Sequence, residues 1–453
     1  MLVKISIENF KSFDQKEELS MISSSKIRGN KNHRVKIKQT QLLTNAVVYG
    51  ANASGKSNLV AAFAFIKRTL LEGLPIGSAN DFCRNKEANK TRESVFELQF
   101  TVGDTFYAYG FSAILSQEKI TGEWLYELLQ DGGARRLFER EEGKAPILGD
   151  AAKITDSEKI RFTVYSEDFA GQENRLFLSE MNRGKRFDTD SNMSFFREVF
   201  SWIVNNIVVV NPNSRISSAG AYYNSKSLEN ISALIRIFDT GVTDVKTKRI
   251  SIEEMKKTVP PEDFKGVFAQ LNALRQTSIP NLPLAQQSTW RINGDFFNIS
   301  VKPNSEPEIS TLVLKHGSSA FDFNMSDESD GTKRLFDLID MILGDRPDTV
   351  FIVDELDRSL HPKLTEQFLK QFMEAHDGAR AQLVFTTHED RIMDQNLFRR
   401  DEIWFIEKNA EEASKIYSLD RFKERYDKKL SKSYLEGRYG AIPVFPLLGF
   451  KGA

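Results

Sequence analysis

The chain has 453 residues, 40% of them hydrophobic, and a formal net charge of -1. That length buries a substantial core and allows two or three domains, or one domain carrying a large insertion. No apolar run approaches the roughly 18 residues needed to span a bilayer, so no membrane segment is expected. The balanced charge gives no long-range attraction for nucleic acid, so any DNA contact has to be local. A single cysteine, Cys83, closes no internal disulfide, and five scattered histidines offer no obvious metal cluster. A reducing, cytoplasmic setting is expected.

The opening "MLVKISIENFKSF" alternates apolar and polar side chains and reads as a strand of the mature fold, without the apolar block of a signal peptide. Strands are predicted at Val3 to Ile7, Ala46 to Tyr49, Ser94 to Thr101, Thr105 to Ala113 and Glu123 to Leu129. Gly103-Asp104 sits between two of these runs as a hairpin turn. From about Glu173 to Leu284 the pattern turns helical. Leu228, Ile231, Leu234, Ile235 and Phe238 fall at helical spacing before Gly241, and Pro260-Pro261 opens a second helix. No sustained heptad repeat is present. After Thr289 strands return, followed by three near-continuous apolar runs, "TVFIVDE", "QLVFTTHED" and "DEIWFIEK". Such runs suit parallel strands buried on both faces. The expected division is therefore 1–172, a helical insertion over 173–288, and 289–453.

Within "VVYGANASGKSN", Gly50 to Ser57 matches G-x-x-x-x-G-K-S between an apolar strand and a predicted amphipathic helix. Glycines let the backbone curl so that its N–H groups meet phosphate oxygens, while the helix N-terminus favours an anion. Gly50, Asn52, Ala53, Ser54, Gly55, Lys56, Ser57 and Asn58 are the candidate nucleotide-binding residues. Lys56 reaches the outer phosphates and Ser57 ligates magnesium. The expected ligands are ATP and Mg2+.

A second metal anchor is expected where "TVFIV" runs into Asp354-Glu355, at the carboxyl end of a parallel strand. Asp354 would hold the metal through water, and Glu355 would orient and deprotonate an attacking water. "QLVFTTHED" repeats the geometry and puts His388 where it can sense the γ-phosphate.

Taken together, these three motifs resemble the ABC-type ATPases. The fold this implies is α/β, a P-loop NTPase with a mixed, largely parallel sheet, a β-rich N-terminal lobe and a helical insertion. The resemblance makes Leu356-Asp357-Arg358-Ser359 the D-loop, with Asp357 near nucleotide, and His388 the switch histidine. It makes Ser329-Asp330-Gly331-Thr332, which opens a helix bearing Leu335, Leu338, Ile339 and Ile342, a signature motif of the kind found in SMC-like and OLD-like soluble ATPases. In such proteins Ser329 and Gly331 complete the pocket of a facing subunit, so a homodimer or higher homo-oligomer is implied. "KISIENFKSF" is similar to the opening strand of RecF, SMC and OLD-type proteins. "YLEGRYGAIP" (Tyr434 to Pro443) is similar to the closing motif of a bacterial AAA-family group serving abortive-infection systems, which includes RloA and the PARIS ATPase AriA. That resemblance implies phage defence, with a phage trigger and a separately encoded, nuclease-like effector as partners.

The chain's own chemistry then reads as ATP hydrolysis alone. The 65 residues after His388 are too few for the Toprim nuclease of OLD-type proteins and lack its acidic cluster. An alternative is a RecF- or SMC-like DNA-repair ATPase. "SSSKIRGNKNHRVKIKQ", Ser23 to Gln39, gathers six Lys or Arg without an acid and could grip DNA phosphates, or form a solvated loop. The loop joining the two lobes is expected near Asn174 to Asn182, from position alone.

Overall fold

The computed structural model describes residues 1–27, 29–149, 152–185, 191–212, 225–266, 269, 286–292, 294–301, 308–344, 348–423 and 429–442. They fall into two compact units, Met1–Asn213 with Arg346–Asp357 and His376–Ala453, and Ser214–Asp345 with Arg358–Ala375.

The first unit begins with β1 (Leu2–Glu8), β2 (Glu17–Ser20), the hairpin β3 (Arg34–Ile37) and β4 (Thr40–Leu43), then β5 (Asn45–Tyr49) and α1 (Lys56–Glu72). Next come β6 (Ser94–Val102), β7 (Thr105–Ile114), β8 (Lys119–Leu128), β9 (Ala134–Glu141) and β10 (Ile147–Leu148). Helices α2 (Asp156–Phe169), α3 (Phe177–Met181) and α4 (Phe195–Ser201) lead to β11 (Ile207–Val210). The seven-stranded sheet has the order β10-β9-β8-β7-β6-β1-β2, and its pairs are antiparallel. The turn Gly103-Asp104 closes β6 on β7 as expected.

The second unit holds α5 (Ser225–Ile237), β12 (Val242–Ile250), α6 (Ile252–Thr258), β13 (Gln286–Ile292), β14 (Asp295–Val301), β15 (Glu308–His316), β16 (Phe323–Asn324) and α7 (Asp330–Leu343). Its sheet runs β12-β15-β14-β13 with β16 on β15. The predicted helical positions Ile231, Leu234, Ile235 and Phe238 are buried. A helix does begin at Pro261, and its continuation past 266 lies largely outside the described residues. Residues 173–288 are nonetheless not uniformly helical, because they contain β11 and β12. β12 is an edge strand whose residues are mostly exposed and polar, so it carries little apolar alternation.

The chain then supplies β17 (Val350–Val353) to the first unit, α8 (Pro362–Ala375) to the second, and β18 (Gln382–Thr386), β19 (Ile403–Lys408), β20 (Ser414–Ser418) and α9 (Leu430–Leu435) to the first. The six-stranded sheet has the order β11-β17-β18-β5-β19-β20, parallel except at β20. All residues of β5, β17 and β18 are buried, which is why they read as unbroken apolar runs.

α1 is amphipathic as expected, with Ser57, Arg68, Leu71 and Glu72 exposed along one face. Leu59, Val60, Ala62, Phe63, Phe65, Ile66 and Leu70 are all buried, in a core cluster shared with residues of both the antiparallel and the parallel sheet. Phe65 packs its ring 4.9 Å from Phe96 of β6 and 5.1 Å from Phe10. Each such fully buried side chain contributes about 1.5–3 kcal/mol, which holds the helix bearing Lys56 firmly in place.

Candidate nucleotide-binding site

The chain leaves the sheet after Tyr49, and the sequence of the following turn is set by space. A Cβ at Gly50 would collide with the Ile406 carbonyl of β19 and lie 2.6 Å from Ser54 Oγ. Gly55 has φ 117°, and a Cβ there would run into Ser414 Oγ and lie 2.8 Å from Ser12 Oγ. Ala53 is also left-handed, at φ 60°. The loop thus curls tightly, with Asn52, Ala53 and Ser57 exposed and Ser54 and Lys56 buried. Lys56 Nζ donates to the carbonyls of Gly50 (2.7 Å) and Ala51 (3.0 Å). Burial lowers its pKa to about 8, against the opposing pull of Asp354, Glu355 and Asp357.

Ser12 and Ser414 brace the loop, and sequence reasoning missed both. Ser414 Oγ donates to the Ser54 carbonyl (2.5 Å) and so accepts from the Ser12 hydroxyl (2.7 Å), and Asn58 Nδ2 donates to Ser12 Oγ (2.7 Å). Ser12 lies within the quoted "NFKSF", whereas Ser414 had no signal beyond its place in β20.

The acidic pair follows β17 directly. Asp354 is buried, and Glu355 adopts a left-handed φ of 48° that turns the chain out of the sheet. Thr386, at the end of neighbouring β18, donates its hydroxyl proton to Asp354 Oδ1 at 2.6 Å and accepts the Glu355 N–H at 2.8 Å. The His388 N–H reaches Asp357 Oδ2 at 3.4 Å, while Asp357 Oδ1 is buried with no hydrogen-bond partner among the described residues. Desolvation, then the Lys56 charge, hold the His388 pKa below its ordinary value, against the three neighbouring carboxylates. The mutual electrostatic action of Lys56, His388, Asp354, Glu355 and Asp357 shows that one region collects them all.

In the second unit, Ser329 caps α7 by accepting the Thr332 N–H at 3.1 Å. Leu335, Leu338, Ile339 and Ile342 are buried as the spacing predicts. Gly331 lies against the Ser359 carbonyl.

Other quoted segments have definite places. Asn174 to Asn182 contains α3, whose first N–H groups, at Phe177 and Leu178, bond buried Glu123 of β8, and Ser179 Oγ donates to the Leu70 carbonyl of α1. The basic segment forms the approach to β3 and the β3–β4 hairpin. It is anchored by His33 on buried Glu402 (2.9 Å) and by Arg399 on the Gly29 carbonyl (2.7 Å). Lys26, Lys31, Lys36 and Lys38 are exposed and form no ion pair among the described residues; Arg28 lies outside them. In the closing motif, Tyr434 stacks 5.6 Å from Phe405 and 5.8 Å from Tyr49, immediately before the P-loop, and its hydroxyl donates to the Ala441 carbonyl. Pro443 lies outside the described residues. No helix among these residues is long and apolar enough to cross a membrane.

A glycine-bounded loop between β5 and α1, paired acids after β17 and a histidine after β18, on one parallel sheet, define a P-loop nucleoside triphosphatase, here with the motif order of the ABC type. The chain belongs to the family described as "AAA domain, putative AbiEii toxin, Type IV TA system", matched over residues 46–394. Among solved structures it is similar to the SmcHead bound to the C-winged helix domain of ScpA, at 14% identity and TM-score 0.40, covering 96% of this chain and 99% of that one. It is also similar to the SMC head domain from Thermotoga maritima, at 14% identity and TM-score 0.36, covering 92% and 98%. No curated protein sequence matches it.

Proposed function

We propose that this protein is an ATP-hydrolysing assembly switch of a bacterial phage-defence system that controls a separately encoded toxic effector. The observation carrying the ATPase reading is the gathering of Lys56, Asp354, Glu355 and His388 around one tightly curled loop that only glycine permits at positions 50 and 55. The donors suit the expected ligands. Backbone N–H groups and Lys56 fit phosphate oxygens, and the Ser57 hydroxyl with the Asp354 carboxylate forms the hard oxygen set that Mg2+ prefers. Mg2+ would neutralise charge on the phosphates. Glu355 would orient the attacking water and take its proton, and His388 would hydrogen-bond the γ-phosphate.

In the proposed cycle, ATP closes a head-to-tail pair in which Ser329 and Gly331 of one copy meet nucleotide held by the other. Hydrolysis then reopens the pair. ATP turnover by the purified protein, abolished in Lys56→Ala, tests the enzymatic reading. The family's description as a putative AbiEii toxin and type IV toxin–antitoxin domain supports the defence role. Co-expression with the adjacent open reading frame tests that role, with ATP-dependent co-purification expected and an effector indifferent to infection counting against it.

A second reading, a DNA-binding ATPase of the RecF or SMC kind, is favoured by the four exposed lysines on the anchored β3 segment. Salt-dependent duplex binding, lost when they are neutralised, distinguishes it.

A further inference from the structure

We infer that Thr386 is the positioning residue of the proposed hydrolytic site, one hydroxyl fixing both the metal-holding acid and the base. The inference rests on the ATPase reading for its consequence, but its geometry stands independently. Thr386 ends β18, next to β17, and is almost completely buried. A hydroxyl has a single proton to give and lone pairs to receive. Here the proton goes to Asp354 Oδ1 at 2.6 Å, and a lone pair receives the Glu355 N–H at 2.8 Å. The direction of the chain is therefore forced. An amide donates only, so Thr386 accepts from Glu355 and has its proton left for the carboxylate.

The same residue also holds the turn through its backbone, since the Leu356 N–H donates to the Thr386 carbonyl at 3.1 Å. Two successive peptide groups, at Glu355 and Leu356, thus hang on one residue of the adjacent strand. Between them the chain takes up the left-handed conformation of Glu355, which sets the direction of its side chain. A left-handed glutamate is intrinsically disfavoured, so it persists where neighbouring contacts hold it. On the acid side, the bond occupies one oxygen of Asp354 and leaves Oδ2 as the oxygen available for a metal-bound water. Thr386 therefore couples the orientation of two carboxylates that must act together. Its neighbour Thr387 serves another turn, its hydroxyl accepting the Glu389 N–H at 3.0 Å.

The test compares Thr386→Val, which keeps the shape and removes the hydroxyl, with Thr386→Ser, which keeps the hydroxyl. Thr386→Ala is the second deletion variant should valine not fold. The first readout is hydrogen–deuterium exchange of nucleotide-free protein over the peptide containing Glu355 and Leu356. Faster exchange is expected in Thr386→Val, with the wild-type rate in Thr386→Ser. The second is the Mg2+ dependence of ATP turnover. The concentration for half-maximal rate is expected to rise about 10- to 100-fold in Thr386→Val, with KM for ATP little changed, as for other groups that orient a metal ligand. Wild-type exchange in both hydroxyl-deleted variants, or an unaltered Mg2+ dependence, overturns the inference. If the wild-type protein turns over no ATP, the functional reading alone falls, and the exchange comparison still decides whether Thr386 holds the turn.

Discussion

Gly331 and Ser359 approach so closely that a methyl group at position 331 would lie 2.8 Å from the Ser359 carbonyl oxygen. The start of α7 is therefore packed against the backbone at Ser359, itself left-handed at φ 62°. Gly331→Ala must displace backbone, at a cost of about 1–3 kcal/mol. Its ATP turnover is expected to collapse while the fold persists by circular dichroism. If sites are shared between copies, mixing Gly331→Ala with Lys56→Ala regenerates one intact site per mixed pair, or about a quarter of wild-type turnover for a two-fold assembly. Two folded, associating variants that restore nothing would defeat the shared-site arrangement.

Glu355→Gln keeps the size of the side chain and removes the base. Turnover should fall about 10²- to 10⁴-fold. ATP should still bind and, unhydrolysed, shift the protein to the closed assembly on size-exclusion chromatography. Hydrolysis at the wild-type rate would show that another group takes the proton.

The depressed Lys56 pKa, about 8, makes the nucleotide-free fold gain stability as pH rises from about 8 to 10.5, because the unfolded chain holds the proton there and the folded chain does not. A bound triphosphate reverses the shift by favouring the ammonium. Calorimetry at pH 8.5 in buffers of different ionisation enthalpy should therefore record proton uptake on ATP binding. A dependence on buffer identical to that of Lys56→Met would contradict this.

Asp14 has the opposite sign. Although burial opposes ionisation, hydrogen bonds from Lys86 and Asn89 and the charge of Arg92 hold its carboxyl well below the ordinary value. Its contribution is present above about pH 4 and is lost as pH falls through the depressed value. Asp14→Ala should destabilise the protein by about 1–3 kcal/mol at neutral pH and flatten its acid limb in urea titrations between pH 5 and 3. An unchanged acid limb would show that other carboxylates govern it.

The parts legible in the sequence were those with short-range causes. β5, β17 and β18 announced themselves because burial on both faces leaves no polar position to interrupt the run. Lys56 could be read from the two glycines around it, and Asp354, Glu355 and His388 because each lies just beyond a strand end. Thr386 was visible as a residue and invisible as a role, because its partners stand 32 and 31 positions earlier in the chain. Ser12 and Ser414 are 402 residues apart, and nothing local marks their contact. The edge strand β12 escaped for the opposite reason, as its outward residues are polar like those of a solvated helix.

The resting contacts of Lys56 carry a kinetic consequence. Its ammonium leans on two uncharged peptide oxygens, those of Gly50 and Ala51, and among the described residues on no carboxylate. An incoming polyanion thus displaces weak acceptors without first rupturing an internal ion pair, so capture need not wait for a slow bond-breaking step.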